Sequence, residues 1–99
     1  MTRELKDWDV ADYLTSEARI SAYLKEVFDD GDPALIASAI GAVARAKSMT
    51  KIAKDTKLGR ESLYKTLSAE GNPSFSTIIK VLDSLGLKLT VSSSAISSN

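Results

Sequence analysis

Apolar side chains recur at helical spacing over most of this chain. Ile20, Leu24, Val27 and Phe28, with Tyr23 beside them, predict an amphipathic helix. Thr15 or Ser16 stands where a cap belongs, and Glu17 follows in the first turn, favourable at the positive end of the helix dipole. Asp29-Asp30-Gly31 ends that helix. Asp32-Pro33 starts the next, with Asp as cap and Pro at the first helical position. From residue 34 to 46 the chain is alanine-rich, and Leu35, Ile36, Ala39, Ile40, Val43 and Ala44 form a broad apolar stripe. Ala37, Ala39, Gly41, Ala42 and Ala46 are small enough to let neighbouring helices approach closely, which predicts a central helix.

The second half reads as shorter elements. Ser48 is the next cap, for a helix from residue 49 to about 56. Lys57-Leu58-Gly59 makes a turn, and a second short helix runs from residue 60 to about 68. Ala69-Glu70-Gly71-Asn72-Pro73 is a loop, because Gly and the residue before Pro both disfavour helix. Ser74 caps a last helix with Phe75, Ile78, Ile79, Leu82 and Leu85 on the expected inner face, and Gly86 falls where a left-handed C-terminal residue belongs. Leu87-Lys88-Leu89-Thr90-Val91 then alternates apolar and polar, the signature of a short strand. A lone strand cannot satisfy its own backbone, so its expected partner is another chain, a second copy or an N-terminal strand.

The fold expected from these elements is all-α, a compact five-helix domain over residues 15–91 with a short C-terminal β-strand. Residues 1–14, with Trp8, Tyr13 and Leu14, form an N-terminal arm. The Ser-rich residues 92–99 form a flexible tail.

Composition then removes whole classes of function. The 99 residues are enough for one modest core, and 43% hydrophobic with 26% charged is ordinary for a soluble domain. No apolar run approaches the roughly 18–20 residues that span a bilayer. The N-terminal sequence is charged and shows no apolar signal segment, so the expected location is the cytoplasm. Without Cys or His there is no disulfide framework, no usual zinc ligand and no imidazole base. No Gly-rich phosphate loop occurs, and the Asp29–Asp32 cluster lacks the spaced oxygen ligands and closing Glu of a calcium loop. The expectation is a non-enzymatic protein without metal or cofactor.

Net charge is zero but strongly segregated. Residues 1–33 carry four bases against nine acids, a net of −5, whereas residues 34–99 carry nine bases against four acids, a net of +5. Arg45, Lys47, Lys51, Lys54, Lys57, Arg60 and Lys65 crowd into one stretch. Either two surfaces serve different partners, or both are solvated faces.

Residues 49–68 have the pattern of a helix-turn-helix. Its first helix needs an apolar residue followed by a small one where the second helix crosses, and Ile52-Ala53 supplies both. Leu58 and Leu63 plug the core. Arg60, Glu61, Tyr64 and Lys65 face outward, with Ser62 near the edge, and donors there can reach base edges in a DNA major groove. Thr50, Lys51 and Lys54 are candidates for phosphate contacts. Tyr64 has a competing role in packing, and an ordinary helical hairpin is the alternative to a DNA reader.

Arg60-Glu61-Ser62-Leu63-Tyr64-Lys65-Thr66-Leu67-Ser68, followed by Glu70-Gly71-Asn72-Pro73-Ser74-Phe75, resembles the addiction-module antidote proteins, a HigA-like branch of the Xre-type helix-turn-helix antitoxins. Tyr13-Leu14, Ala22-Tyr23-Leu24, Asp30-Gly31-Asp32-Pro33-Ala34-Leu35 and the run from Ile40 to Thr50 extend the resemblance to residues 8–90. It implies a lambda-repressor-like fold and a homodimer that binds double-stranded operator DNA. It also implies a small basic RelE/HigB-like toxin as protein partner. Arg60 and Lys65 would make base or near-base contacts, with Glu61, Ser62 and Tyr64 as auxiliaries. The chain departs from the family turn at two places: Lys57 replaces a usual Gly and Gly59 a usual Ser cap. If the turn is kept, Lys57 takes a positive φ. A repressor without a toxin partner and a pure protein-interaction module are the rival readings.

Overall fold

A computed structural model describes residues 16–93 of the chain. Five helices follow one another among these residues: α1 (Glu17–Asp30), α2 (Pro33–Lys47), α3 (Met49–Thr56), α4 (Arg60–Thr66) and α5 (Phe75–Ser84). The N-terminal arm and residues 94–99 lie outside the described residues.

Local chemistry explains where the helices begin and end. The Ser16 hydroxyl accepts a hydrogen bond from the Arg19 N–H at 3.2 Å, Asp32 accepts from Ala34 N–H at 3.1 Å, and Ser74 accepts from Thr77 N–H at 3.1 Å. Each satisfies an amide that has no partner inside its helix. Ser48 serves two helices. Its N–H closes α2 on Ala44 O at 2.9 Å, and its hydroxyl accepts from Lys51 N–H at 3.2 Å to open α3. Gly31 and Gly86 take the left-handed conformation, at φ 83° and 80°.

α2 is the central element, touching α1, α3 and α4, while α3 in turn touches α4 and α5. The core joins Ile20, Leu24 and Val27 of α1 to Ile40, Val43 and Ala44 of α2, Met49 and Ile52 of α3, Leu63 and Leu67 at α4, and Val81, Leu82 and Leu85 at α5. The small residues of α2 are used as expected. A Cβ at Gly41 would sit only 2.1 Å from the Leu67 carbonyl oxygen, so α2 presses directly on the backbone at the end of α4.

Three expectations are corrected. Leu35 is 42% exposed, so the inner stripe of α2 is narrower than its apolar residues suggest. On α5, Phe75 and Ile79 face outward, 72% and 39% exposed, whereas Val81 is fully buried. The inner face is therefore rotated toward Ile78, Val81, Leu82 and Leu85. Finally, residues 87–91 form no strand. Leu87 and Leu89 alternate into the core as the pattern requires, but no described segment lies alongside to share a ladder, and Val91 is 96% exposed. Alternation reported which side chains are buried; it did not supply a backbone partner.

The turn between α3 and α4 keeps the geometry its Lys57 made costly. Lys57 has φ 63° and ψ 25° and closes α3 through its N–H to Ala53 O at 2.8 Å. Thr56, the one buried polar side chain among the described residues, braces this turn from behind. Its hydroxyl donates to Ile52 O at 2.7 Å and accepts from Leu58 N–H at 3.3 Å. A left-handed non-Gly residue costs about 1–2 kcal/mol, and glycine gives back about 0.5–1 kcal/mol through its freer unfolded chain. Lys57→Gly is thus expected to stabilise by up to about 1 kcal/mol, read as a higher urea midpoint at unchanged slope. A lower midpoint would show that the turn does not need the left-handed residue.

Candidate functional site

α4 has seven residues, and only Leu63 among them is buried. Arg60, Glu61, Ser62, Tyr64 and Lys65 are all exposed. Leu63, 1% exposed, and Leu67, fully buried just beyond the helix, pin its inner side to the core. A helix this short has little stability of its own, so the pose of the five outward side chains is set by those two leucines. Gly59 begins α4 with no side-chain cap, as its lack of a hydroxyl dictates.

Two of the five interact. The Arg60 guanidinium lies over the Tyr64 ring, 5.8 Å from its centroid, one turn further along the helix. Tyr64, 39% exposed, is not in the core. Its contact orients Arg60 by cation–π attraction, typically worth about 0.5–1 kcal/mol at an exposed site.

On α3, Met49, Ile52 and Thr56 are buried, and Thr50, Lys51, Lys54 and Asp55 are exposed. Four-residue spacing puts Thr50 and Lys54 on one flank and Lys51 and Asp55 on the other. Lys51 Nζ is 2.7 Å from Asp55 Oδ2, and the same oxygen accepts from the Ser84 hydroxyl at 2.9 Å. The Lys51 bond, then the Ser84 bond, hold the Asp55 carboxyl below the ordinary carboxylate range. Sequence reasoning singled out Lys51 but missed Asp55 and Ser84. The i, i+4 spacing from Lys51 points to Asp55, but no sequence signal reaches Ser84, 29 residues away.

Elsewhere, α1 and the turn after it expose Glu17, Glu26, Asp29, Asp30 and Asp32 against Arg19 and Lys25. A groove of 240 Å³ runs between α1 and residues 87–92 over Leu24, Phe28, Leu82, Leu87 and Leu89. That is below the roughly 300–1,000 Å³ of typical small-molecule sites. No group of described residues is arranged to hold a metal ion, and no described helix is long and apolar enough to cross a membrane.

These features define a small all-helical protein whose candidate site is an exposed polar helix rather than a cavity. A family model described as "Probable addiction module antidote protein" matches residues 4–93, and the chain belongs to that family. A protein of Haemophilus influenzae described as uncharacterized is 49% identical over 94 residues, covering 95% of this chain and 97% of the relative. No solved structure matches the chain. Family membership points to the antidote side of a toxin–antitoxin pair.

Proposed function

We propose that this chain is the antitoxin of a type II toxin–antitoxin module, HigA-like and of the Xre type. It neutralises a RelE/HigB-like toxin and represses its own operon by sequence-specific DNA binding, with no enzymatic activity. Residues 49–68 act as the helix-turn-helix, with α4 in the major groove. The observation that carries this reading is the division of α4 into one buried leucine and five exposed polar side chains, set beside the exposed bases of α3. Arg60 and Lys65 make base or near-base contacts, assisted by Glu61, Ser62 and Tyr64, while Thr50, Lys51 and Lys54 are the candidates for phosphate contacts. The acidic side chains of α1 and its following turn suit a cationic toxin.

One seven-residue reading helix spans only a few base pairs, so useful specificity calls for a homodimer on two half-sites about one DNA turn apart. The exposed Phe75 and Ile79, one turn apart on α5, and the exposed Val91 in the 87–91 segment offer apolar side chains for that two-fold contact.

Fluorescence anisotropy with the protein's own upstream DNA tests the repressor role. Binding should weaken steeply as salt rises; no salt-sensitive binding up to micromolar protein would refute it. Arg60→Ala is expected to cost about 1–3 kcal/mol on the operator and much less on scrambled DNA. An equal loss on both would make Arg60 a phosphate contact. The toxin role is tested by co-expression with the adjacent reading frame, where failure both to co-purify and to restore growth would refute it.

A further inference from the structure

We propose that Asp55 is a positioning residue that withholds Lys51 from DNA phosphate, lowering the sequence-independent part of the affinity. This rests on the DNA-binding reading above. The ammonium of Lys51 and the hydroxyl of Ser84 meet on one carboxylate oxygen, at 2.7 and 2.9 Å. Ser84 is the last residue of α5, so the carboxylate is held from a second helix and in turn fixes the lysine. Lys54, on the other flank of α3, makes no ion pair among the described residues. Two bases that look equivalent in sequence therefore differ: Lys51 is hydrogen-bonded to the Asp55 carboxylate, whereas Lys54 acts on it through charge alone.

A phosphate oxygen arriving at Lys51 competes with Asp55 for the same ammonium. If Lys51 leaves, the carboxylate stands unpaired beside DNA and gathers a cation. If Lys51 stays, carboxylate and phosphate repel each other across it. Either way, the counterion release that a lysine–phosphate contact normally contributes is largely cancelled. The restraint acts equally on every DNA sequence, because phosphates carry no sequence information. It therefore lowers operator and scrambled affinity together and leaves their ratio unchanged, so discrimination rests on the base contacts of α4.

Asp55→Asn tests this in the full-length protein, since the amide oxygen still accepts from Ser84 while the charge is gone. Anisotropy titrations on operator and scrambled duplexes across a salt series are the readout. The variant is expected to bind both duplexes about two- to fivefold more tightly near 0.1 M salt. Its log–log salt slope should steepen by about 0.9. In a Lys51→Ala background the same substitution should give a clearly smaller gain, because only the repulsion of a bare carboxylate is then removed and no lysine is freed for phosphate. An unchanged slope, or a gain just as large without Lys51, overturns the proposal: Asp55 would then be a helix-packing residue or a general source of repulsion. If the wild-type protein shows no salt-sensitive binding, the DNA-binding reading itself fails and takes this proposal with it.

Discussion

Truncating Leu63 to alanine is expected to cost about 2–5 kcal/mol, the range for removing a leucine from a packed core. The side chain is 1% exposed and is the only buried residue within α4. Domains of this size have total stabilities of roughly 5–15 kcal/mol, so the loss is a large fraction of the whole. It should appear as a fall in melting temperature of roughly 10 °C or more. The loss has a local component too, because seven residues cannot sustain a helix once their anchor is gone. On the proposed DNA-binding reading, binding should therefore fall further than the change in folded fraction explains. Ser62→Ala, one residue away and exposed, should stay within about 0.5 kcal/mol of wild type. A Leu63→Ala protein that melts with the wild type would mean that α4 is not docked through this side chain.

Gly41→Ala sets two known effects against each other. In the interior of a helix, replacing Gly with Ala ordinarily gains about 1 kcal/mol. Here the added Cβ would lie 2.1 Å from the Leu67 carbonyl oxygen and 3.1 Å from its carbon. Both are backbone atoms and cannot swing aside, so α2 and the end of α4 must move apart. Overpacking of this kind costs about 1–3 kcal/mol and at times more. The clash should win, giving net destabilisation and a melting temperature lower by several degrees. A rise in melting temperature would show that α2 and α4 are not in backbone contact at Gly41.

The helix boundaries were legible because they are written in local chemistry. Ser16, Asp32, Ser48 and Ser74 each cap by a hydrogen bond spanning two or three residues, and Gly31 and Gly86 each answer a left-handed position. A window of sequence contains all of that information. The facing of α5 was not legible for the opposite reason. Phe75, Ile78, Ile79, Val81, Leu82 and Leu85 make an apolar band wider than one helix can bury, and contact with α3 chooses the edge that goes inward. The misread strand at 87–91 has the same origin, since a period of two describes which side chains are buried and not whether a ladder forms. At the candidate site, the outward set on α4 followed from the inward leucine. The pairing of Lys51 with Asp55 is local, but the Ser84 bond to the same carboxylate exists only after α5 has packed.

The division of labour within α4 has an evolutionary consequence. Leu63 and the nearby Leu67 hold the helix, whereas Arg60, Glu61, Ser62, Tyr64 and Lys65 project from it without core contacts. Exposed substitutions of this kind typically change stability by no more than about 0.5 kcal/mol. If α4 reads DNA as proposed, a duplicated copy of the gene could therefore replace its outward letters one at a time and drift to a new target, each intermediate remaining folded. The same freedom does not extend to Gly41, where close packing leaves a duplicate almost no neutral steps.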